Sequence, residues 1–163
     1  MKEKNLFNLI LLTSIIVIST SLFGSDIESS VNKHKNKFEN IALSIWDYAE
    51  LGYQEIKSST ALAESLKEEG FKITYKVANI PTAFIAEYGN NGPVIGILGE
   101  FDALPGLAQT NAPFKEVISN ETGGGHACGH HLFGAASAWA AVVIKEWLEA
   151  VSYTHLTLPT TVS

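Results

Sequence analysis

The chain has 163 residues, 46% of them hydrophobic and 17% charged, a composition that predicts a folded core and excludes a disordered chain. Its formal net charge is −6, and all eleven of its basic residues are Lys. The acidic balance excludes nucleic acid and anionic membrane surfaces as partners, and the lack of Arg excludes planar, bidentate recognition of a substrate carboxylate within this segment.

The first 25 residues predict a secretory signal peptide. Lys2 and Lys4 precede an apolar run over residues 9–23, and the small residues Gly24 and Ser25 follow it. A basic start, an apolar middle and a small-residue exit are typical of a cleaved export signal. The alternative is an uncleaved membrane anchor, but the Thr and Ser residues inside the run favour cleavage. We therefore expect an exported, periplasmic protein with no stable membrane association after cleavage.

Two helices are expected next. A polar entry segment covers residues 29–37, and apolar residues then recur at helical spacing over residues 38–49. The second helix is expected to begin at a cap formed by Ser58 or Ser59 and to end at Gly70.

The rest of the pattern predicts strands and one long helix. Residues 71–77 alternate as in a half-buried strand, and residues 82–88 and 94–98 predict a hairpin around the turn at 89–92. The continuous apolar run over 94–98 suits a strand covered on both faces. Residues 134–149 are rich in Ala and Trp and predict a largely buried helix. Helices that flank buried strands indicate an α/β domain.

The end of the chain departs from this pattern. Residues 151–163 contain no Lys, Arg, Asp or Glu, and they abandon the helical spacing that precedes them. They are similar to a translated sequencing-adapter remnant, so we predict a non-native tail. The alternative is a genuine terminal strand.

The strongest chemical signal is the segment GGGHACGHH at residues 123–131, where three His and the single Cys lie within six positions. His and Cys are the usual ligands of zinc and related ions. In an extended segment His126, Cys128 and His130 share one face, and His131 points to the other. Ligands this close in sequence can hardly surround one ion, so the cluster indicates an open catalytic site completed elsewhere. The alternative is a buried free Cys with incidental His neighbours.

A second signal is the acidic pair Glu100 and Asp102, directly after the apolar run at 94–98. Acidic residues at the carboxyl end of a buried strand lie where α/β sheets place their ligand crevices, and their spacing puts both on one face. Acidic loop residues are common, so an incidental pair is an equal alternative on this signal alone.

Three motifs together resemble one family. Residues 49–55 (AELGYQE), 99–107 (GEFDALPGL) and 125–130 (GHACGH) occur in the order found in the amidohydrolase branch of the M20 metallopeptidases, especially its aminobenzoyl-glutamate hydrolase group. The resemblance covers residues 41–149. It implies that residues 26–150 are the N-terminal part of a zinc-exopeptidase-like α/β catalytic domain, with a central mixed sheet flanked by helices.

The resemblance also implies roles for particular residues. Cys128 and His130 are expected to be metal ligands, with the Cys128 thiolate bridging two divalent ions, zinc or manganese. Asp102 is the expected catalytic acidic residue, which in that family supports the metal site. His131 stands where relatives often have Asp or Asn and receives no role.

The expected function is hydrolysis of an amide bond in a small acyl- or aroyl-amino acid by metal-activated water. The family's Glu-Glu pair, which holds the general base, its two further His ligands and its dimerisation domain lie downstream of the matched segment. The chain alone is therefore expected to be inactive, and the full-length enzyme is expected to be a homodimer. The alternatives are an M20-type dipeptidase and a non-catalytic metal-binding module.

The signal-peptide prediction has a direct test. Because cleavage follows the small residues at the exit, N-terminal sequencing of the protein from an exported fraction should find a start near Ser25 or Asp26. An intact Met1 on protein from the cytoplasm would rule the prediction out.

Overall fold

The structure, a computed structural model, describes residues 27–90 and 92–155, with side chains to residue 151. The predicted signal peptide and the last eight residues of the predicted tail lie outside these ranges. Within them, no helix has both the length and the apolar character needed to cross a membrane.

The described chain contains three helices and four short strands. In chain order they are α1 (residues 27–48), α2 (Ile56–Glu68), β1 (Lys72–Tyr75), β2 (Phe84–Glu87), β3 (Leu104–Pro105), β4 (Gly124–Gly125) and α3 (His130–His155), with a short 3-10 turn at Val77–Asn79.

The predicted polar entry segment at 29–37 is wrong, because α1 already covers it. Its polar side chains have partners on α3. The hydroxyl of Ser30 donates to the Glu146 carboxylate, Lys33 Nζ lies 2.6 Å from Glu146 Oε1, and His34 Nε2 lies 2.8 Å from the same oxygen. Tertiary ion pairing, which sequence periodicity does not report, therefore extends this helix towards the N-terminus.

The helix α2 begins close to its predicted start but is not capped by its own serines. The Glu50 carboxylate accepts hydrogen bonds from Lys57 N (3.0 Å), Ser58 N (2.9 Å) and Ser58 Oγ (2.8 Å). A carboxylate at this position satisfies free N–H groups of the first turn and complements the helix dipole. Glu50 thus caps α2 from the preceding corner of the chain.

The predicted hairpin between residues 82–88 and 94–98 is wrong. β2 pairs antiparallel with β1, in the register Lys72↔Glu87 to Tyr75↔Phe84. Residues 94–98 form no strand and pack against few described residues, and Val94 is 98% exposed. β2 pairs with β1 on one edge, and no described strand pairs with the apolar run.

The core lies where the three helices meet the first sheet. Its buried members are Phe38, Ile45, Leu62, Leu66, Phe71, Ala138 and Val142. Small residues of α3 let the chain beside it come close: a Cβ on Gly134 would lie 2.9 Å from the carbonyl oxygen of Glu100. The α/β class is confirmed, although the described strands form two small antiparallel pairs instead of one larger sheet.

α3 is longer than its predicted range of 134–149. It begins at His130, inside the predicted metal motif, and its backbone continues to His155. The helical pattern therefore does not stop at residue 150. The non-native origin of residues 151–163 stays a prediction.

The contacts of Glu146 predict an acid-sensitive link between α1 and α3. Burial opposes its charge, but hydrogen bonds from Lys33, Ser30 and His34 outweigh burial and lower the pKa of Glu146 to about 2. Because this folded-state pKa lies below the ordinary 4.5, the stabilisation is present above pH 4.5 and is lost as the pH falls towards 2. Glu146→Gln should lower the free energy of unfolding at pH 7 by about 1–3 kcal/mol.

Urea unfolding at several pH values measures both effects. Glu146→Gln should also flatten the loss of stability between pH 4.5 and 2. Glu39→Gln, which removes a half-exposed carboxylate of α1, is the matched control and should change neither quantity. If the free energy of unfolding of Glu146→Gln fell between pH 4.5 and 2 as steeply as that of the wild type, the role assigned to Glu146 would be contradicted.

Candidate metal centre

The first motif forms a tight corner between α1 and α2. Ala49 and Tyr53 have left-handed backbone conformations, with φ of 43° and 67°. The carbonyl oxygen of Glu50 accepts a hydrogen bond from Ala103 N at 2.7 Å, and Leu51 forms a parallel bridge with Ala103. The backbone of the first motif therefore fixes the residue that directly follows Asp102 in the second motif.

The third motif packs against the same corner through its glycines. A Cβ on Gly124 would lie 2.5 Å from the Ala49 carbonyl oxygen, and a Cβ on Gly125 would lie 1.9 Å from the Leu107 carbonyl oxygen. Gly125 pairs with Leu104 between β4 and β3. Only glycine permits these approaches, so the glycine run is what allows the three motifs to meet.

His130 lies between the two predicted acidic residues. Its Nδ1 lies 2.8 Å from Asp102 Oδ1, and its Nε2 lies 3.0 Å from Glu100 Oε2. The imidazole is mostly buried, with 16% of its side chain exposed, whereas Glu100 is half exposed. When Nδ1–H donates to Asp102, Nε2 keeps the lone pair that a metal ion needs, and the Glu100 carboxylate 3.0 Å away has to move aside for that ion.

Cys128 lies two residues earlier, in a turn. Gly129 N donates to His126 O at 3.1 Å, and Gly129 has a φ of +80°. The prediction of an extended segment with His126, Cys128 and His130 on one face is therefore wrong. The positive φ of Gly129 turns the chain directly into α3. The Cys128 thiol is exposed and free, so the alternative of a buried free Cys is wrong as well.

His126 and His131 lie on the side of this turn that faces the protein interior. His126 is 5% exposed, and its Nε2–H donates to the Ile45 carbonyl oxygen at 2.9 Å. The Trp46 indole lies edge-on to His131, with ring centroids 5.0 Å apart. Burial is the main cause that lowers the pKa of both imidazoles, so both are neutral at pH 7. These contacts were not predicted from the sequence, because no local pattern relates residues 45 and 46 to residue 126.

The donor set fits part of a metal centre. An exposed thiol and an imidazole whose Nδ1 is held by a carboxylate suit a borderline divalent ion such as zinc, and a carboxylate behind a ligating His is the usual supporting arrangement. In residues 27–90 and 92–151, no three His, Cys, Asp or Glu side chains are arranged to hold an ion.

A cavity of about 430 Å³ lies beside the first-motif corner and contains none of the predicted site residues. Because its lining lacks Asp102, Cys128 and His130, we place the candidate centre at the His130 contacts. The cavity is lined by Asp47, Tyr48, Glu50, Gln54, Lys57, Asn120, Glu121 and Thr122.

Comparisons with known proteins agree with the three motifs. The chain is 41% identical over 123 residues, 76% of its length, to one subunit of the p-aminobenzoyl-glutamate hydrolase of Escherichia coli. It is 32% identical over 96 residues (59% of the chain) to the hippurate hydrolase of Campylobacter jejuni, and 33% identical over 109 residues (66%) to an N-acetylcysteine deacetylase of Bacillus subtilis. No family model matches the chain.

A solved structure is similar as well. The crystal structure of the Bacillus subtilis YXEP protein, described as a dinuclear metal-binding peptidase from the M20 family, matches with a TM-score of 0.53 and 31% identity. The match covers 69% of this chain and 32% of that protein. The chain spans about a quarter of the length of the three curated relatives, at 26%, 24% and 28%.

Proposed function

We propose that this chain, which belongs to the M20 family of metallopeptidases and amidohydrolases, forms the N-terminal part of the catalytic domain of an exported amidohydrolase. The complete enzyme, meaning the longer protein of which this chain is the first part, is a periplasmic homodimer with two divalent ions, zinc or manganese. The observation that carries the proposal is the hydrogen bond between Asp102 and His130. His130 lies two residues after Cys128 in the chain.

In this proposal each residue has one task. The Cys128 thiolate would hold both ions, and His130 would hold one of them through Nε2. Asp102 keeps the Nδ1 proton of His130, which fixes the ring and makes Nε2 the ligating nitrogen. When bound, such ions lower the pKa of a water molecule and polarise the scissile carbonyl. The general base for that water would be the Glu that the family has downstream of the matched segment.

The substrate class follows from the relatives. Aminobenzoyl-glutamate, hippurate and N-acetylcysteine, the compounds in their names, each contain an amide between an acyl or aroyl group and an amino acid. We propose the same class here, a small acyl- or aroyl-amino acid. The chain itself has no Arg for the substrate carboxylate, so in the complete enzyme another segment binds that group.

Turnover of matched substrates by the metal-loaded complete enzyme tests this proposal. Aminobenzoyl-glutamate and hippurate should be hydrolysed, whereas a dipeptide with a free amino terminus should be hydrolysed far more slowly. Preference for the dipeptide would favour an M20-type dipeptidase. Metal binding without hydrolysis of any of these would favour a non-catalytic metal-binding module.

Metal content beside turnover tests the residue roles. Cys128→Ala should lower the bound metal more than His130→Ala, because a bridging thiolate serves both ions. Asp102→Asn keeps the side-chain shape but removes the charge behind His130, so it should lower kcat by about 10- to 100-fold with most metal retained. Glu39→Gln is the matched control for loss of a carboxylate. Full metal occupancy in Cys128→Ala, measured by elemental analysis, would contradict the assignment.

A further inference from the structure

We propose that His126 is a positioning residue that sets the place of the Cys128 thiol by anchoring the ligating turn to the end of α1. This inference rests on the proposed metal-dependent function. It adds a residue that acts through Cys128 and does not touch the metal.

The anchor is a buried hydrogen bond. His126 is 5% exposed, and its Nε2 lies 2.9 Å from the carbonyl oxygen of Ile45 in the last turn of α1. A carbonyl oxygen can only accept, so Nε2 carries the proton and Nδ1 carries the lone pair. Nδ1 is itself buried and has no hydrogen-bond partner among the described residues, so an ion does not reach it in this arrangement and the ring acts through its Nε2–H bond to Ile45.

The anchor acts directly on the turn that contains Cys128. The carbonyl oxygen of His126 accepts the hydrogen bond from Gly129 N at 3.1 Å that closes the turn, and Gly129 O in turn accepts from Leu132 N at 3.0 Å in the first turn of α3. His130 fixes the other end through Asp102. Within the described residues the Cys128 thiol makes no hydrogen bond of its own, so these two anchors determine where it lies.

Ring packing supports the anchor from the side. The Trp46 centroid lies 6.2 Å from that of His126 and 5.0 Å from that of His131, and the two imidazole centroids are 5.0 Å apart. Such tilted and edge-on contacts between rings are favourable and directional. These ring contacts therefore restrain the orientation of the His126 imidazole and how far it is buried.

Two substitutions separate the hydrogen bond from the packing in the complete enzyme. His126→Phe keeps a planar ring but removes the donor, whereas His126→Gln has an amide N–H that can reach the Ile45 carbonyl. The readout is the cobalt-substituted enzyme: the thiolate-to-cobalt charge-transfer band reports the Cys128–metal bond, and chelator competition gives the metal affinity. We expect His126→Phe to weaken the band and to lower the affinity by about 10-fold, and His126→Gln to restore both.

The matched control is His34→Phe, at another buried imidazole, 6% exposed, which bonds to Glu146. It should lower the unfolding midpoint and leave the cobalt band unchanged, which separates a site effect from general destabilisation. An unchanged band and affinity in His126→Phe would overturn the positioning role while leaving the proposed function standing. A wild-type enzyme without any thiolate band would overturn both.

A measurement without substitution covers the case in which His126→Phe does not fold. Nitrogen-15 spectra of the histidine-labelled wild-type enzyme should show His126 protonated at Nε2, both with and without metal. A large shift of either His126 nitrogen on addition of diamagnetic zinc would identify His126 as a ligand and would overturn the positioning role.

Discussion

The close approach of three backbone segments at the corner after α1 is the constraint on which the candidate centre depends. Glu50 O holds Ala103 N at 2.7 Å, and Gly124 packs so near Ala49 O that a Cβ would lie 2.5 Å away. The same Glu50 caps α2 with its carboxylate. One corner residue therefore links the core helices to the loop that contains Asp102, so a change there affects both stability and the site.

From this corner the geometry passes outward through side chains. The corner fixes Ala103 and thereby the neighbouring Asp102. The Asp102 carboxylate contacts His130, the first residue of α3. His126 ties the other end of the ligating turn to Ile45 in α1. Among the described residues of the site, the Cys128 thiol is exposed and makes no hydrogen bond of its own, and it is the group that has to remain accessible to bind an ion.

The sequence predicted the fold class and the family better than the local geometry. The α/β class and the family follow from three motifs in one order, whereas the hydrogen bond between Asp102 and His130 is seen only in the structure. The hairpin and the extended metal segment were wrong, because strand pairing depends on distant partners and Gly129 adopts a positive φ. The start of α1 was missed because Glu146 lies more than a hundred residues from His34. The contact between His126 and Ile45 is likewise invisible to any local pattern.

The most direct test of the central claim is anomalous diffraction from crystals of the complete enzyme, collected at the zinc absorption edge. The account predicts two peaks about 2.3 Å from Cys128 Sγ, one of them about 2.0–2.1 Å from His130 Nε2, with Asp102 still bonded to Nδ1 of that imidazole. A zinc peak bound to His130 Nδ1 or to His126, or zinc found only away from residues 126–131, would contradict it.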